Sequence, residues 1–331
     1  MGGFFTKKRI VIISICVVLV AAIAIGGVFC INKILIPNKK YNNALKLLDN
    51  GEYAKAADIL NELGDYKDCK ELLKNFTFLP ESEVCEYPDE TKRDIKYEYD
   101  KNGNLRSVTD NYNGRTVFSE YKNGLKVRDT ETNDETKLSN ITLYEYDDNG
   151  NLITGSTEFS SGDHGLVTYE YNDKCLKVKK SELYNNKVIF DFYYSYDKNN
   201  NLISESYGSM VVEYEYDDKN NLIRVISSDR TYLNGTDDID EYIYDDNGNL
   251  VKEILLNGAD VNEYEYDSDG RVTLKINYQR ADKNSPYYKN SRTTYKYDEY
   301  GNLIKEVCSP IGDWDFDYSV RKISYIVFYN K

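Results

Sequence analysis

Apolar and polar positions along this chain follow three successive periods. From Ile10 to Asn32, in IVIISICVVLVAAIAIGGVFCIN, no residue is charged. At about 1.5 Å of rise per helical residue, about 20 such residues cross a hydrocarbon core. A transmembrane helix is therefore expected over 10–36, behind a basic tail, 1–9, that ends in Lys7, Lys8 and Arg9. Ala22-Ile23-Ala24 offers a cleavage site of the secretory type, but the apolar run continues past Ala24, which favours an uncleaved anchor. A short tail before a long carboxy-terminal part suits a signal anchor with the bulk of the chain extracytoplasmic. Lys33, Lys39, Lys40 and Lys46 nearly balance the positive-inside rule against that orientation.

Over 39–77 the period becomes helical: Ala44, Leu47 and Leu48, then Tyr53, Ala56, Ile59, Leu60 and Leu63, then Cys69, Leu72 and Leu73. Asn50-Gly51 and Gly64-Asp65 divide it into three short helices, glycine ending one and aspartate capping the next. With Ala44, Gly51, Tyr53 and Ala56 at the expected spacing, ALKLLDNGEYAKAADIL resembles the second half of a tetratricopeptide unit. A single unit is too short for a solenoid, so the segment reads as a membrane-proximal spacer or as a docking surface for a partner. Pro80, Pro88 and many acids over 78–94 suggest a linker.

From 95 to 331 the apolar period is two, broken at regular intervals. Nine tyrosines mark the breaks: Tyr99, Tyr121, Tyr146, Tyr171, Tyr196, Tyr216, Tyr244, Tyr266 and Tyr297. Aspartate follows in most units, as Asp100, Asp147, Asp197, Asp217, Asp245, Asp267 and Asp298. Three residues on comes Gly103, Gly150, Gly248, Gly270 or Gly301, or else Asn200 or Asn220. An aspartate opening a type I turn accepts backbone N–H bonds, and the glycine supplies the left-handed conformation that a hairpin with a bulge requires. Asn123-Gly124 gives a two-residue hairpin turn in the most divergent unit.

Closing these turns pairs Tyr99 with Leu105, Tyr146 with Leu152, Tyr196 with Leu202, Tyr216 with Leu222, Tyr244 with Leu250 and Tyr297 with Leu303. Tyr97, Tyr144, Tyr214, Tyr264 and Tyr295, two residues earlier, join the same face. On the other face Glu98, Glu145, Glu170, Glu215 and Glu265 would stand opposite Arg106, Ile153, Val178, Ile223 and Thr273. Further turns at Asn113-Gly114, Asn185-Asn186 and Asn257-Gly258 imply eighteen or nineteen strands in one antiparallel meander from Ile95 to Tyr329. A twisted sheet of that size should curl into a spiral or partial shell with the Tyr/Leu ladder inward. RKISYIVFY, at the carboxy terminus, reads as a capping strand.

Composition narrows the function. The chain is 40% hydrophobic with 33 tyrosines and a net charge of -14, so it lacks the basic stripe that nucleic acid demands. Its Asn-, Lys-, Ile- and Tyr-rich usage suits an AT-rich bacterial genome. Cys16 and Cys30 fall in the membrane run. Cys69, Cys85, Cys175 and Cys308 lack metal-like spacing and read as small buried fillers, with a Cys69–Cys85 bridge as the alternative. The sole histidine, His164, lies in a polar turn, and no nucleophile elbow, zinc helix or phosphate loop is present. DDNG and DSDG look like fragments of a calcium loop but lack its glycine and glutamate spacing, so no cofactor is expected beyond weak calcium binding by loop acids. No catalytic constellation emerges, and a non-enzyme is expected. Recognition falls to exposed tyrosines or to the longer loops Thr130 to Asn140, Ser228 to Asp240 and Tyr278 to Ser291; the single Trp314 sets the chain apart from tryptophan-rich glycan-binding arrays.

The Tyr-x-Tyr-Asp-x-x-Gly-Asn-Leu unit resembles the YD repeat of Rhs, wall-associated and teneurin-type proteins, over Ile95 to Cys308. The resemblance implies a spiralling β-sheet and a surface location. It leads to the expectation of a membrane-anchored cell-surface protein that binds an envelope protein or carbohydrate. A degenerate shell component of a toxin-delivery system and a passive structural envelope protein are the alternatives.

Overall fold

A computed structural model describes residues 35–229, 237–282, 284–311 and 319–329. The basic tail, nearly all of the expected membrane helix, and Trp314 lie outside the described residues. Among the described residues no helix is long and apolar enough to cross a membrane. The chain divides into two compact units, Met1–Leu79 with Tyr325–Lys331, and Pro80–Ser324.

The first unit contains helices α1 (Ile36–Asp49), α2 (Tyr53–Leu63) and α3 (Cys69–Leu73). Pro37 opens α1, where a missing N–H costs nothing. Gly51 and Gly64 take positive φ, +78° and +55°, at the breaks that end α1 and α2. Ala44, Leu48, Ala56, Ala57, Leu60 and Cys69 are buried, and Tyr329 packs against Phe76, their ring centroids 4.8 Å apart. The expected aspartate cap differs in detail. Asp65 instead pairs with Lys70 at 2.6 Å, and the residue preceding α3 is Asp68, whose carboxylate accepts the Tyr41 hydroxyl at 2.6 Å rather than capping the helix. That bond pushes the Tyr41 pKa up to about 12.

Twenty strands follow in chain order. They are β1 (Phe76–Glu86), β2 (Lys92–Tyr99), β3 (Leu105–Tyr112), β4 (Arg115–Lys122), β5 (Leu125–Asn133), β6 (Ser139–Tyr146), β7 (Leu152–Glu158), β8 (His164–Tyr171), β9 (Lys177–Tyr184) and β10 (Lys187–Tyr196). The others are β11 (Leu202–Tyr207), β12 (Met210–Tyr216), β13 (Leu222–Asp229), β14 (Asp238–Tyr244), β15 (Leu250–Leu255), β16 (Asp260–Tyr266), β17 (Val272–Gln279), β18 (Tyr288–Tyr297), β19 (Leu303–Pro310) and β20 (Ser319–Tyr329).

Each strand pairs with its neighbours in sequence, and β20 also pairs with β1, so the sheet closes into an antiparallel barrel. Three expectations are corrected by this closure. The sheet, expected as a spiral or partial shell, closes fully through β1 and β20. The carboxy-terminal run is not a cap but a closing strand. The segment 78–94 is not a linker: it supplies most of β1 and the turn into β2, with Ser82 to Glu86 paired against Lys92 to Lys96. Pro80 lies before that paired stretch, where its missing donor breaks no bond to β2. The seam is polar. Glu83, buried, accepts from Arg321 Nε at 2.9 Å, Arg321 Nη2 at 2.6 Å and the Tyr97 hydroxyl at 2.8 Å. A hydrophobicity pattern does not reveal a strand whose most enclosed seam residue is a glutamate.

The hairpin register pairs Tyr99 with Leu105, Tyr146 with Leu152, Tyr196 with Leu202, Tyr216 with Leu222, Tyr244 with Leu250 and Tyr297 with Leu303. The next pair departs from expectation: Glu98 faces Ser107, Glu145 faces Thr154, Glu170 faces Lys179, Glu215 faces Arg224 and Glu265 faces Leu274. Each hairpin slips by one residue just before its tyrosine, leaving Arg106, Ile153, Val178, Ile223 and Thr273 as unpaired bulge residues. The tyrosine face is half-buried while Glu98, Glu145, Glu170, Glu215 and Glu265 are exposed. Curvature of a closed sheet crowds its concave side, which the more enclosed tyrosine face occupies.

Barrels of about 16–18 strands leave an aqueous channel, and twenty strands enclose more. Accordingly, the buried apolar side chains among the described residues of the second unit are only Val211, Val261 and Pro310.

Candidate functional site

The barrel has two unlike rims. At one, the repeat turns are nearly uniform. Asp147 Oδ1 accepts the N–H of Asn149 at 3.0 Å and of Asn151 at 2.7 Å, and its Oδ2 accepts Asn151 Nδ2 at 2.8 Å. Gly150, at φ +81°, donates to the Asp147 carbonyl at 3.0 Å. The same box recurs between Asp100 and Asn104, Asp197 and Asn201, Asp217 and Asn221, Asp245 and Asn249, and Asp298 and Asn302. At Asp267 the Arg271 guanidinium takes the amide's place. These bonds hold the Asp147, Asp217 and Asp245 carboxyls below the usual range, the asparagine amide first and its backbone N–H next. Carboxylates committed to their own turns are poor metal ligands, and no group of three or more metal-binding side chains gathers among the described residues.

Along the tyrosine face a second repeated device links one hairpin to the next. The hydroxyls of Tyr146, Tyr171, Tyr196, Tyr216, Tyr244, Tyr266 and Tyr297 donate to the carbonyls of Lys126, Leu152, Lys177, Leu202, Leu222, Leu250 and Val272, at 2.7 to 3.0 Å. Each acceptor opens the bulge of the preceding hairpin, where the ladder is interrupted. Tyr99 reaches Pro80 in the same way at 2.8 Å. Three of the earlier tyrosines find carboxylates: Tyr97 reaches Glu83 at 2.8 Å, Tyr144 reaches Asp129 at 2.6 Å and Tyr264 reaches Glu253 at 2.7 Å. The repeat residues are thus gathered into a scaffold rather than into a cleft.

The opposite rim, made by the inter-repeat turns, is irregular and apolar. Tyr112, Leu138, Tyr184, Val188, Ile189, Phe190, Leu256 and Tyr288 are all exposed on it. A cleft of about 450 Å³ opens there, lined by Thr157, Phe159, Gly165, Leu166, Val167, Glu182, Leu183, Tyr184 and Ile189. The mouth of a barrel is a preferred place for a ligand. Phe159 and Tyr184 meet there with ring centroids 6.0 Å apart. Gly165 is what permits this, because a Cβ on it would stand 3.1 Å from the Phe159 ring. The loop is fixed by Asp163, which accepts Ser161 Oγ and Asn185 Nδ2, both at 2.8 Å. The Tyr184 hydroxyl, the Asn185 amide and Ser161 hold the Asp163 carboxyl at about 2. His164 is exposed, and its backbone N–H donates to Asn185 Oδ1 at 2.9 Å.

Leu138 and Tyr288 of this rim lie in two of the loops expected to carry recognition. Most of Thr130 to Asn140 belongs to β5 and β6, and Ser228 to Asp240 lies partly outside the described residues. In Tyr278 to Ser291, Tyr287 donates to the Gly258 carbonyl at 2.6 Å and Arg280 stacks on its ring. The cleft residues escaped the sequence reading; of KVIFDFYYSY, a run with more aromatics than the two the unit needs, only Ile189 lines it. The cysteines differ from expectation too. All four described ones are free, which excludes a Cys69–Cys85 bridge; only Cys69 is buried, and Cys175 is exposed at φ +58° in the turn position that glycine holds elsewhere.

No protein-family model matches the chain, and no curated protein matches it. Among solved structures, that of TcdB2-TccC3 is similar at 18% identity over 71% of this chain, with a TM-score of 0.38. This chain spans only 16% of that one. A porin-like protein from Bacteroides uniformis is similar at 14% identity over 75% of this chain and 96% of its own, with a TM-score of 0.35. Overlaps this loose leave the fold to rest on the strand pairing itself.

Proposed function

We infer that this is a non-catalytic binding barrel, held at the cell surface by the apolar segment 10–36, that takes a partner protein or carbohydrate at its inter-repeat rim. The contrast between the rims carries the reading. One rim commits its polar groups to its own turns, while the other exposes aromatic and aliphatic side chains that its fold does not bury. Both faces of the sheet carry charges, the glutamates on one and Arg321, Glu83, Lys177 and Glu205 on the other. A lipid-facing barrel surface requires an apolar band instead. The resemblance to YD-repeat proteins adds support for a surface role.

Two measurements test this. External protease on intact cells should digest the chain beyond Lys40, and protection would reverse the orientation. A pull-down from cell envelopes should retain a ligand that is lost when Val188, Ile189 and Phe190 are all replaced by serine. Equal retention by the variant would move binding away from this rim.

A further inference from the structure

We propose that Asn113 and Asn123 are sites of spontaneous deamidation, and that the reaction loosens one strand, β4, because their turns bound it at both ends. In an Asn-Gly pair the main-chain nitrogen of the glycine attacks the asparagine Cγ. A C–N bond forms, and the side-chain amide leaves as ammonia with the glycine proton, which closes a succinimide. Water then opens the ring. Cleavage at the former side-chain carbonyl gives aspartate, and cleavage at the main-chain carbonyl gives isoaspartate, whose backbone runs through Cβ and Cγ. The glycine nitrogen has to shed its proton, so a hydrogen bond donated by that N–H slows the first step.

The Asn-Gly pairs differ in this respect. Gly103, Gly150 and Gly248 donate to the carbonyls of Asp100, Asp147 and Asp245 at 3.0 Å, and Gly51 donates to the Leu48 carbonyl at 3.1 Å. The repeated turn thereby protects its own weak point. At Asn257 the side chain is held instead: its Oδ1 accepts the Ile239 N–H at 3.0 Å and its Nδ2 donates to Asp238 at 3.1 Å. Among the described residues, Asn113-Gly114 and Asn123-Gly124 are the Asn-Gly pairs without either safeguard. Their turns close through Tyr112 with Arg115 and Lys122 with Leu125, which spends no bond on the glycine N–H. Both asparagines are exposed, and a Cβ on Gly114 or Gly124 would meet no atom within 4 Å, so the ring closes in open space.

Asn113-Gly114 joins β3 to β4, and Asn123-Gly124 joins β4 to β5. A two-residue turn has no slack. Isoaspartate adds one backbone carbon to it, so the closing pair of that turn loses its register. At the first turn the new carboxylate also joins the charge of Asp134, whose N–H donates to the Gly114 carbonyl at 2.7 Å.

The full chain, purified in lipid nanodiscs, is aged at mildly alkaline pH and its peptides are read by mass spectrometry. An isoaspartate-specific methyltransferase marks the rearranged product. A sample unfolded in guanidinium chloride is aged in parallel, where all the pairs share one local chemistry. In the folded chain Asn113 and Asn123 should convert about fivefold faster than Asn102, Asn149 and Asn247, the factor that one hydrogen bond of about 1 kcal/mol supplies. The difference should vanish on unfolding. Hydrogen exchange of the aged protein should rise in β4 ahead of β9 and β10. Combining Asn113→Gly with Asn123→Gly keeps two-residue turns that accept the left-handed conformation, and should abolish both the conversion and the loosening.

Equal rates at all these pairs in the folded chain, or faster reaction in the repeat turns, overturn the assignment. Loosening of β4 on ageing of the glycine variant overturns the link between the reaction and the strand.

Discussion

The hydroxyl of Tyr171 donates to the main-chain carbonyl of Leu152 at 2.8 Å, tying β8 to the bulge that opens β7. Its counterparts repeat this bond from hairpin to hairpin, so the tyrosines fasten each unit to the one before it. Such a carbonyl, stranded by the bulge, would otherwise lack a ladder partner. Tyr171→Phe keeps the ring and removes only the bond, and should cost about 1 kcal/mol in urea unfolding. A loss no larger than that of an exposed control substitution would show that water replaces the hydroxyl.

Gly150 sits at φ +81°, and a Cβ added there would meet no atom within 4 Å, so substitution strains the backbone and nothing else. Gly150→Ala should destabilise by about 1–2 kcal/mol, and Gly150→Asn by less, because asparagine tolerates the left-handed region. Asn200 and Asn220 already hold that conformation, at φ +70° and +63°. Thermal unfolding that ranked alanine above asparagine would contradict this account.

The seam should open first when its ion pair is cut. Glu83→Ala leaves Arg321 with Glu306 as its remaining partner, at 3.5 Å, and frees the Tyr97 hydroxyl. Partial exposure of Arg321 moderates the loss to about 2 kcal/mol. Hydrogen exchange should rise in β1 and β20 ahead of β9 and β10. Uniform acceleration would mean that the barrel opens elsewhere.

Alkali should weaken the barrel through its tyrosines. Burial first and the Glu306 charge second push Tyr295 up to about 12. Burial and a bond to Asp129 raise Tyr144 as well, and burial and a bond to Glu253 raise Tyr264. An unfolded tyrosine titrates near 10, so this stability is complete below about pH 10 and is lost as pH rises through the folded values. Tyrosinate absorbance should lag behind that of the denatured chain and rise together with loss of strand signal.

Acid acts on the turns. The depressed Asp147, Asp217 and Asp245 contribute stability that is complete above about pH 4 and is lost as pH falls through their folded values. Replacing all three with asparagine should flatten that acid limb. An unchanged limb would assign acid sensitivity to other carboxylates.

The hairpin register was legible because aspartate, glycine and leucine fix both ends of each turn, as in Asp147, Gly150 and Leu152. The slip of one residue beyond Tyr146 was not, since Ile153 looks like any alternating strand residue until its partner is known. Closure was hidden for a different reason. β1 lacks the repeat, carries Pro80, and turns a glutamate into the seam. The apolar rim left a trace in the surplus rings of Phe190 and Phe192. The close approach of Phe159 to β8 depends on the missing side chain at Gly165, which no local pattern announces.

Each repeat contributes one up strand and one down strand, and β20 meets β1 antiparallel. Gain or loss of a whole unit therefore alters the circumference by two strands and preserves the sense of the closing pair. A half unit would bring two parallel strands together at the seam. The repeat is thus the smallest step by which such a barrel can change girth and still shut, a constraint on how its length can drift between generations.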